Sequence, residues 1–377
     1  MAIVKYDGIA WDNVVKVSGV AKANIVKIKG VEATAAATEA TEWAVAGDDR
    51  RIGYITNSNL LAGNDWEAYD SFAGGSSPNP GSSVDYISIA YGKDGNGDGL
   101  WIATPASDGC EIAYNTNASS SGAPWTGVNA LSGGGNLTGR RFIVQWGNDY
   151  WMAAGKMGGR DLFRSPDGAN WEHIDVTSET GIIDSAIYAL ASDGDGTWWF
   201  AQQNRIYQST NDGQSFSLLH TLVDSSNADP GDIRVLEYTN DTLFAGVNGG
   251  ECFSAASSDL TDWSTETSIG SHSSAVFQQD VRVAAANGRI VAVGGQHKTI
   301  LTIDGKNITV VENGQDFHSD SHGTMAGIAT DGSTWVACTF TGDMFYSTDG
   351  GLNFSGSTQN LGSKDMLAVA ANVYLPL

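Results

Sequence analysis

The chain has 377 residues, 47 of them glycine and only 7 proline, and its formal net charge is −23 at neutral pH. A protein this acidic repels nucleic acids and anionic membrane surfaces, so we expect neither as a partner. No segment approaches the roughly 20 apolar residues that a membrane-spanning helix needs, so we expect no membrane span.

The first 32 residues contain three copies of an eleven-residue repeat, Ile3–Ala10, Val14–Ala21 and Ile25–Glu32. Lysine and glycine recur at the same offsets, as Lys5, Gly8, Lys16, Gly19, Lys27 and Gly30. Each copy predicts a short strand, a glycine turn and a second short strand. An odd period turns successive copies to opposite faces, and so short a segment buries little apolar surface by itself. We therefore expect this arm to form a homo-oligomer, dock on the rest of the chain, or insert into another protein.

The tandem Lys-Val/Ile-x-Gly-Val pattern of the arm resembles the N-termini of virion structural proteins of tailed phages. The resemblance implies an anchor that binds other virion proteins and carries a larger exposed domain. It also implies assembly in the host cytoplasm, a virion location, and contact of the exposed domain with a host surface glycan or protein. The arm carries +2, which leaves −25 for the remaining residues. The Ala- and Thr-rich residues 33–40 are predicted to be a linker.

From about residue 41 to the end, short apolar segments recur in groups of four, separated by Gly- and Asp-rich turns. One group is Met325–Ala329, Thr334–Cys338 and Met344–Ser347, with Phe354 opening a fourth segment. The first strands of such groups are predicted to begin near Tyr86, Phe142, Ile187, Ile233, Val281, Met325 and Leu367. Four strands per repeat without helical periodicity predict an all-β, seven-bladed β-propeller over residues 41–377.

The seventh blade is predicted to be shared by the two ends of the chain. Met366–Ala371 has the pattern of a first strand that no third strand follows. Trp43–Gly47 and Ile52–Ile55 have the pattern of second and third strands that no first strand precedes. Pairing these segments closes the ring and leaves no open edge.

A second motif recurs once per blade, with the form Ser-x-Asp-x-Gly-x-x-Trp/Phe. The copies run Ser165–Trp171, Ser209–Phe216, Ser257–Trp263, Thr302–Ile308 and Ser347–Phe354, with degenerate copies at Asn57–Trp66 and Asn115–Trp125. The motif resembles the Asp-box, or BNR repeat, of sialidase-type propellers, which implies a turn between third and fourth strands opposite the ligand face. The residues assigned this structural role are Ser165, Asp167, Trp171, Ser209, Asn211, Gly213, Phe216, Ser257, Asp259, Trp263, Asp304, Ser347, Asp349, Gly351 and Phe354.

The catalytic set of sialidases is not found. Arg51-Ile52 is followed by Gly53 where that family has proline, and three arginines cannot be assigned to separate innermost strands. We therefore expect a non-enzymatic protein. The alternatives are a carbohydrate-binding or glycoside-hydrolase-like propeller, and a bacterial assembly or scaffold propeller similar to photosystem II stability factors.

Acidic residues precede most of the predicted innermost strands, where propellers usually meet ligands. They are Asp85, Asp184, Asp232, Asp280, Asp320 and Asp365, and His318 and His322 belong to the same set of connections. These residues predict an acidic ligand face at one mouth of the channel. The alternative is that each aspartate caps the turn that enters its strand.

Two segments could bind a metal, although no cofactor is otherwise expected. Asp94, Asn96 and Asp98 match the first half of a calcium loop, but Pro105 stands where the bidentate glutamate belongs, and a hairpin turn also explains them. His318, Asp320 and His322 could bind a transition metal or form a polar loop. The three cysteines, Cys110, Cys252 and Cys338, are predicted to be free thiols packed as small hydrophobes.

Overall fold

A computed structural model describes residues 41–62, 66–69, 85–105, 112–116, 125–128, 143–147, 149–155, 161–176, 186–248, 250–264, 267–268, 282–294, 297–316, 325–356 and 365–373, together with six short strands before residue 33. The chain divides into two compact units, residues 1–41 and residues 42–375. This boundary lies directly after the segment predicted to be a linker, whose residues 33–40 are outside the described ones.

The first unit contains three two-stranded antiparallel hairpins. Their strands are β1 (Lys5–Tyr6) with β2 (Ile9–Ala10), β3 (Lys16–Val17) with β4 (Val20–Ala21), and β5 (Lys27–Ile28) with β6 (Val31–Glu32). Each hairpin falls on one copy of the eleven-residue repeat. The turn residues Gly8, Gly19 and Gly30 lie outside the described residues.

The second unit is a seven-bladed β-propeller in which every blade is a four-stranded antiparallel sheet. The innermost strands begin within one residue of their predicted positions, so the predicted fold is confirmed.

The first four blades occupy the chain up to Thr221, and the first of them includes a short helix. Blade 1 contains β7 (Glu42–Gly47), β8 (Ile52–Thr56), α1 (Asn57–Leu61) and β9 (Glu67–Tyr69). Blade 2 contains β10 (Tyr86–Lys93), β11 (Gly99–Pro105), β12 (Ile112–Asn115) and β13 (Thr126–Val128). Blade 3 contains β14 (Ile143–Gly147), β15 (Tyr150–Ala154), β16 (Asp161–Ser165) and β17 (Glu172–Asp175). Blade 4 contains β18 (Ile187–Ser192), β19 (Trp198–Gln202), β20 (Arg205–Ser209) and β21 (Ser217–Thr221).

The remaining blades follow the same pattern. Blade 5 contains β22 (Ile233–Thr239), β23 (Thr242–Val247), β24 (Glu251–Ala256) and β25 (Thr267–Ser268). Blade 6 contains β26 (Arg282–Ala286), β27 (Arg289–Gly294), β28 (His297–Asp304) and β29 (Asn307–Asp316). Blade 7 contains β30 (Met325–Thr330), β31 (Trp335–Thr339), β32 (Met344–Ser347) and β33 (Ser355–Gly356). The last strand, β34 (Met366–Ala371), is the innermost strand of blade 1.

The core lies between blades rather than in one central cluster. Val235 and Phe244 of blade 5, for example, pack in one cluster with Ala285, Ile290 and Leu301 of blade 6. The second strands are buried on both faces, which explains their uninterrupted apolar sequences. Cys252 and Cys338 are buried free thiols in this core, as predicted, while Cys110 lies outside the described residues. Burial raises the pKa of both thiols to about 12.

Blade 1 closes the ring as predicted. β34 pairs with β7 from Met366 opposite Gly47 to Ala371 opposite Trp43, and β8 and β9 complete the sheet.

Because successive strands of each blade run in opposite directions, the propeller has two distinct faces. We call the end that carries the blade-to-blade connections the connector face, and the end that carries the hairpins between first and second strands the hairpin face.

Three local predictions differ from the structure. The degenerate motif copy at Asn57 begins as the short helix α1, because the Thr56 side chain caps it by accepting from the Asn59 amide. The copy at Asp304 is a two-residue hairpin in which Asp304 pairs with Asn307, so its loop is shorter than the other Ser-x-Asp turns. Phe354 lies just before the fourth strand of its blade, which begins at Ser355.

Candidate functional site

The Ser-x-Asp turns join third and fourth strands on the hairpin face, and their side chains hydrogen-bond within their own turns. Asp167 Oδ1 accepts from the Ala169 and Asn170 amides at 2.9 and 2.7 Å. Asp259 Oδ1 accepts from the amide and hydroxyl of Thr261 at 3.1 and 2.7 Å. In the longer copy at Ser209, Asn211 Oδ1 accepts from the Ser215 amide at 3.1 Å. These bonds give the turns a structural role.

The aromatic residue and the leading serine complete each turn in two ways. In the shorter copies, the indole N–H of Trp171 donates to the Gly168 carbonyl at 2.9 Å, and that of Trp263 donates to the Leu260 carbonyl at 2.8 Å. In copies of both lengths, the buried serine hydroxyl accepts from the glycine amide, as between Gly168 and Ser165 at 2.8 Å and between Gly351 and Ser347 at 3.1 Å. Ser257 instead donates its amide to the Asp241 carbonyl at 2.8 Å.

The glycines of these turns pack on the preceding blade, a contact that sequence reasoning did not identify. A Cβ added at Gly168 would lie 2.5 Å from Leu100 Cδ2, and one added at Gly213 would lie 2.9 Å from Met152 Sδ. Lys298 of blade 6 is buried, and its ammonium donates to the carbonyls of Gly351 and Leu352 in blade 7. The turns therefore hold adjacent blades together as well as closing their own strands.

The innermost strands surround a central channel with two adjoining chambers. The chamber near the connector face has a volume of about 260 Å³, and its polar and charged lining residues are Ser88, Gln145, Tyr188, Arg234, Glu237 and Arg282. The chamber near the hairpin face has a volume of about 230 Å³. Glu237 and Gln145 line both, so these two side chains lie where the chambers meet.

A β-bulge shapes the connector end of the channel. In five innermost strands the pairing register skips the second residue: Ile87, Tyr188, Arg234, Ala326 and Leu367. Bulges re-aim side chains and are common beside functional sites. At two of them, the Arg234 guanidinium lies 3.8 Å from the centre of the Tyr188 ring, and Arg234 Nη2 is 2.9 Å from Asp232 Oδ2. Arg234 Nε is buried and has no hydrogen-bond partner among the described residues.

Glu237 is the acidic residue inside the channel. It lies on β22 opposite Phe244, and among the described residues no hydrogen bond or ion pair reaches its carboxyl group. Removal from bulk water raises the pKa of Glu237 to about 8. Solvent in the channel leaves the residue part-exposed.

The predicted acidic ligand face is only partly within the described residues. Asp85 Oδ1 accepts from the Asp49 amide at 3.2 Å, and Asp232 pairs with Arg234. The Asp365 carbonyl accepts from the Asp48 amide at 2.9 Å. Asp184, Asp280, Asp320, His318 and His322 lie outside the described residues. None of these contacts is a side-chain cap of the aspartate's own turn, so the ligand face and the turn-capping alternative both stay predictions.

The predicted calcium loop folds as a turn organised by its first aspartate. Asp94 Oδ1 accepts from the Asn96 and Asp98 amides at 2.8 and 2.9 Å. The Asp193 carboxylate does the same for the Asp195 and Thr197 amides in blade 4. Within the described ranges, no group of three or more His, Cys, Asp or Glu side chains is close enough to hold a metal. Calcium binding stays a prediction.

The channel residues Arg234, Glu237 and Arg282 were missed by sequence reasoning. Their signal is a charged residue inside an otherwise apolar innermost strand, as in Ile233–Tyr238. Arg234 and Arg282 lie on the separate innermost strands β22 and β26, which is two of the three arginines that the sialidase set requires.

No protein-family model matches the sequence, and no curated protein matches it. The structure of U3-55K superposes with a TM-score of 0.52 and has 11% sequence identity to this chain. The alignment covers 86% of this chain and 90% of that chain. Raptor from Chaetomium thermophilum is 13% identical, with a TM-score of 0.51, covering 78% of this chain and 26% of that chain. YCF48 from Cyanidioschyzon merolae is 15% identical, with a TM-score of 0.49, covering 76% of this chain and 94% of that chain.

At these identities the similarity concerns the fold alone. The chain is a seven-bladed β-propeller, and its structural neighbours are propeller proteins of varied functions. The fold suits protein–protein interaction. Over the part of the chain that the structure describes, no helix has both the length and the apolar character needed to cross a membrane.

Proposed function

We propose that this protein is a non-enzymatic structural component of a larger assembly, a tailed-phage virion, in which the first 32 residues are the anchor. In this proposal the propeller is the exposed domain and serves as decoration, spacer or host-contact surface. The observation that carries the proposal is the arm: three repeated hairpins that form a compact unit distinct from the propeller.

The physical argument rests on the size of the hairpins. Each is built from two strands of two residues, and isolated two-stranded hairpins are at best marginally stable in water. A partner that pairs with them would supply the missing stability, as in recognition by strand addition. The repeated Lys5, Lys16 and Lys27 add a positive charge that favours an acidic partner surface.

The propeller contributes rigidity rather than chemistry in this proposal. Its ring is closed by its own two ends, and its inter-blade core does not require the arm. A closed ring is a stable platform for an exposed domain. The Asp-box family, which the turns resemble, then accounts for the fold without implying sialidase activity.

The test is deletion of residues 1–32. We expect the truncated protein to fold with unchanged melting temperature and to be absent from assembled particles, as measured by immunoblotting of purified virions. The matched variant is Gly19→Val, which changes one predicted turn and leaves the propeller sequence intact; it should reduce incorporation without altering the melting temperature. Normal incorporation of the truncated chain would refute the anchor.

A further inference from the structure

We propose that the channel chamber next to the hairpin face is a binding site for a small quaternary ammonium group, with Glu237 as its counter-ion. This inference concerns a ligand of the propeller and is independent of the anchoring role of the arm.

The chamber combines one charged side chain with aromatic and small apolar walls. Glu237 is the one charged residue among its described lining residues, which also include the aromatic residues Tyr91 and Trp146. Six alanines complete much of the wall: Ala90, Ala284, Ala285, Ala329, Ala370 and Ala371. Small side chains from four blades leave the space open. A lone carboxyl group beside aromatic rings is the environment in which cations are recognised without a shell of water.

The aromatic wall is held in place by packing within and between blades. A Cβ at Gly92 of blade 2 would collide with the Trp146 side chain of blade 3, so this glycine makes the position of that ring possible. The Trp146 ring is also 5.1 Å from that of Trp151, and the Tyr91 ring is 4.9 Å from that of Trp101. Both lining aromatics are therefore fixed by packing before a ligand arrives.

The polar groups of the chamber select among cations. A primary ammonium has three N–H donors to satisfy. The Thr330 hydroxyl is already engaged, because it donates to the Thr334 carbonyl at 2.9 Å and accepts from the Gly332 amide at 3.0 Å. The remaining side-chain acceptors of the described lining are Glu237, Gln145 and the Tyr91 hydroxyl, and its other side chains are apolar. A quaternary ammonium needs no hydrogen-bond acceptor, so it fits this chamber better than a primary amine.

Charge and size agree with this ligand class. The hairpin ends around the mouth of the chamber carry Lys93 and Arg289 but are acidic on balance, with Asp94, Asp149, Asp193, Asp241 and Asp331. A mouth with this sign attracts cations and raises their local concentration. The volume of about 230 Å³ is below the roughly 300 Å³ of the smallest typical drug-sized sites, so the ligand is a single small headgroup.

The two arginines of the channel lie at its opposite end. The titratable or charged side chains that line the two chambers are Tyr91, Tyr188, Arg234, Glu237 and Arg282. Both arginines line only the chamber near the connector face, and Arg234 is paired with Asp232. A cation that enters from the hairpin face therefore reaches Glu237 without passing either arginine.

The experiment is calorimetric titration of the full chain with choline, in parallel with its uncharged tert-butyl isostere. We expect choline to bind and the isostere to bind about tenfold or more weakly, because it lacks the charge. Affinity for choline should rise between about pH 6 and pH 8, by up to about tenfold per pH unit, because Glu237 must lose its proton to pair with the ligand.

Two variants locate the site. Glu237→Gln should lower the affinity for choline about tenfold or more, whereas Glu67→Gln makes the same charge change on an exposed outer strand and should leave it unaltered. The proposal is overturned if choline does not bind, if the isostere binds equally well, or if Glu237→Gln binds choline like the unmodified protein. The isostere and pH comparisons need no variant, so they decide the matter even if Glu237→Gln fails to fold.

Discussion

Asn372 and Glu42, 330 residues apart in the sequence, hydrogen-bond to each other where the split blade has no hairpin. The Glu42 amide donates to Asn372 Oδ1 at 2.7 Å, and the Asn372 amide donates to the Glu42 carbonyl at 2.8 Å. Asn372 Nδ2 also donates to Glu42 Oε2 at 3.2 Å. The pair replaces the covalent turn that the other blades have at this position.

Replacing Asn372 with alanine should destabilise the propeller. The variant loses the two side-chain bonds to Glu42, and we expect the free energy of unfolding to fall by about 1–3 kcal/mol. Urea denaturation measures the change. Asn353→Ala is the control, because Asn353 Nδ2 donates to Asp349 within one exposed turn, at 2.8 Å, and does not join the ends. Equal losses for the two variants would contradict a special role for Asn372.

Gly351 and Gly97 offer a comparison of inter-blade packing with backbone strain. Both have positive φ, +83° and +89°, but a Cβ at Gly351 would lie 2.6 Å from Val291 Cγ2 of blade 6, whereas one at Gly97 meets no atom within 4 Å. Gly97→Ala should cost about 1–2 kcal/mol from the left-handed backbone alone. Gly351→Ala should cost about 1–3 kcal/mol more from overpacking. Thermal unfolding of both variants tests this, and similar losses would show that the turn does not depend on its neighbour blade.

Asp349 should make the stability of the protein depend on pH in the acidic range. Partial burial pushes the pKa of Asp349 upward, but hydrogen bonds from the Asn353 amide, the Ser347 hydroxyl and the Asn353 side chain outweigh it and hold the pKa at about 2. The ionised form is favoured by the fold, so its stabilisation is present above the ordinary value of 3.8 and is lost as pH falls toward 2.

The Asp349→Ala variant separates this contribution from general acid unfolding. At neutral pH we expect a loss of about 1 kcal/mol, as for other side-chain caps of backbone amides. The difference from the unmodified protein should shrink as pH falls toward 2. Denaturant titrations over this pH range measure it, and a difference that stays constant with pH would argue against the ionised carboxylate as the cause.

Glu237 should change the stability of the protein with pH in the direction opposite to that of Asp349. Its pKa rises from an ordinary value of 4.5 to about 8, so the folded state holds a proton that the unfolded state releases in this interval. Stability should therefore fall as pH rises from about 4.5 to about 8 and should then level off. Glu237→Gln should remove this fall and be more stable at pH 8 by about 2–4 kcal/mol. Glu67→Gln should keep the unmodified pH profile; if Glu237→Gln keeps it too, the carboxyl group is not desolvated in solution.

Much of the fold follows from periodic features of the sequence. The short apolar segments and their Gly/Asp turns identify all seven innermost strands, including Met366–Ala371, because the second strands that pair with them are buried on both faces and exclude polar residues almost completely. The hydrogen-bonding partners of Asp167 and Asp259 are also local, within three residues, so a motif in the sequence contains both donor and acceptor.

The channel could not be predicted in the same way. Arg234 and Glu237 are near neighbours on one strand, but the chamber they line is completed by residues from other blades. The contact between Arg234, at the bulge of β22, and Tyr188 joins the innermost strands of blades 4 and 5 and has no local sequence signature. A single charged residue in an apolar strand is therefore a signal to look for, but its surroundings depend on ring closure.

The shared blade also determines when this protein can finish folding during synthesis. The innermost strand of blade 1 is the last strand of the chain, β34, and its partner β7 belongs to the start of the propeller. Until the ribosome has released residues 366–371, β7 has no inner neighbour and its buried face, including Trp43 and Val45, remains exposed. A nascent chain with an unpaired apolar strand is prone to aggregation. Ring closure is consequently the last step in folding the propeller during synthesis, because β7 gains its inner neighbour only when residues 366–371 are available.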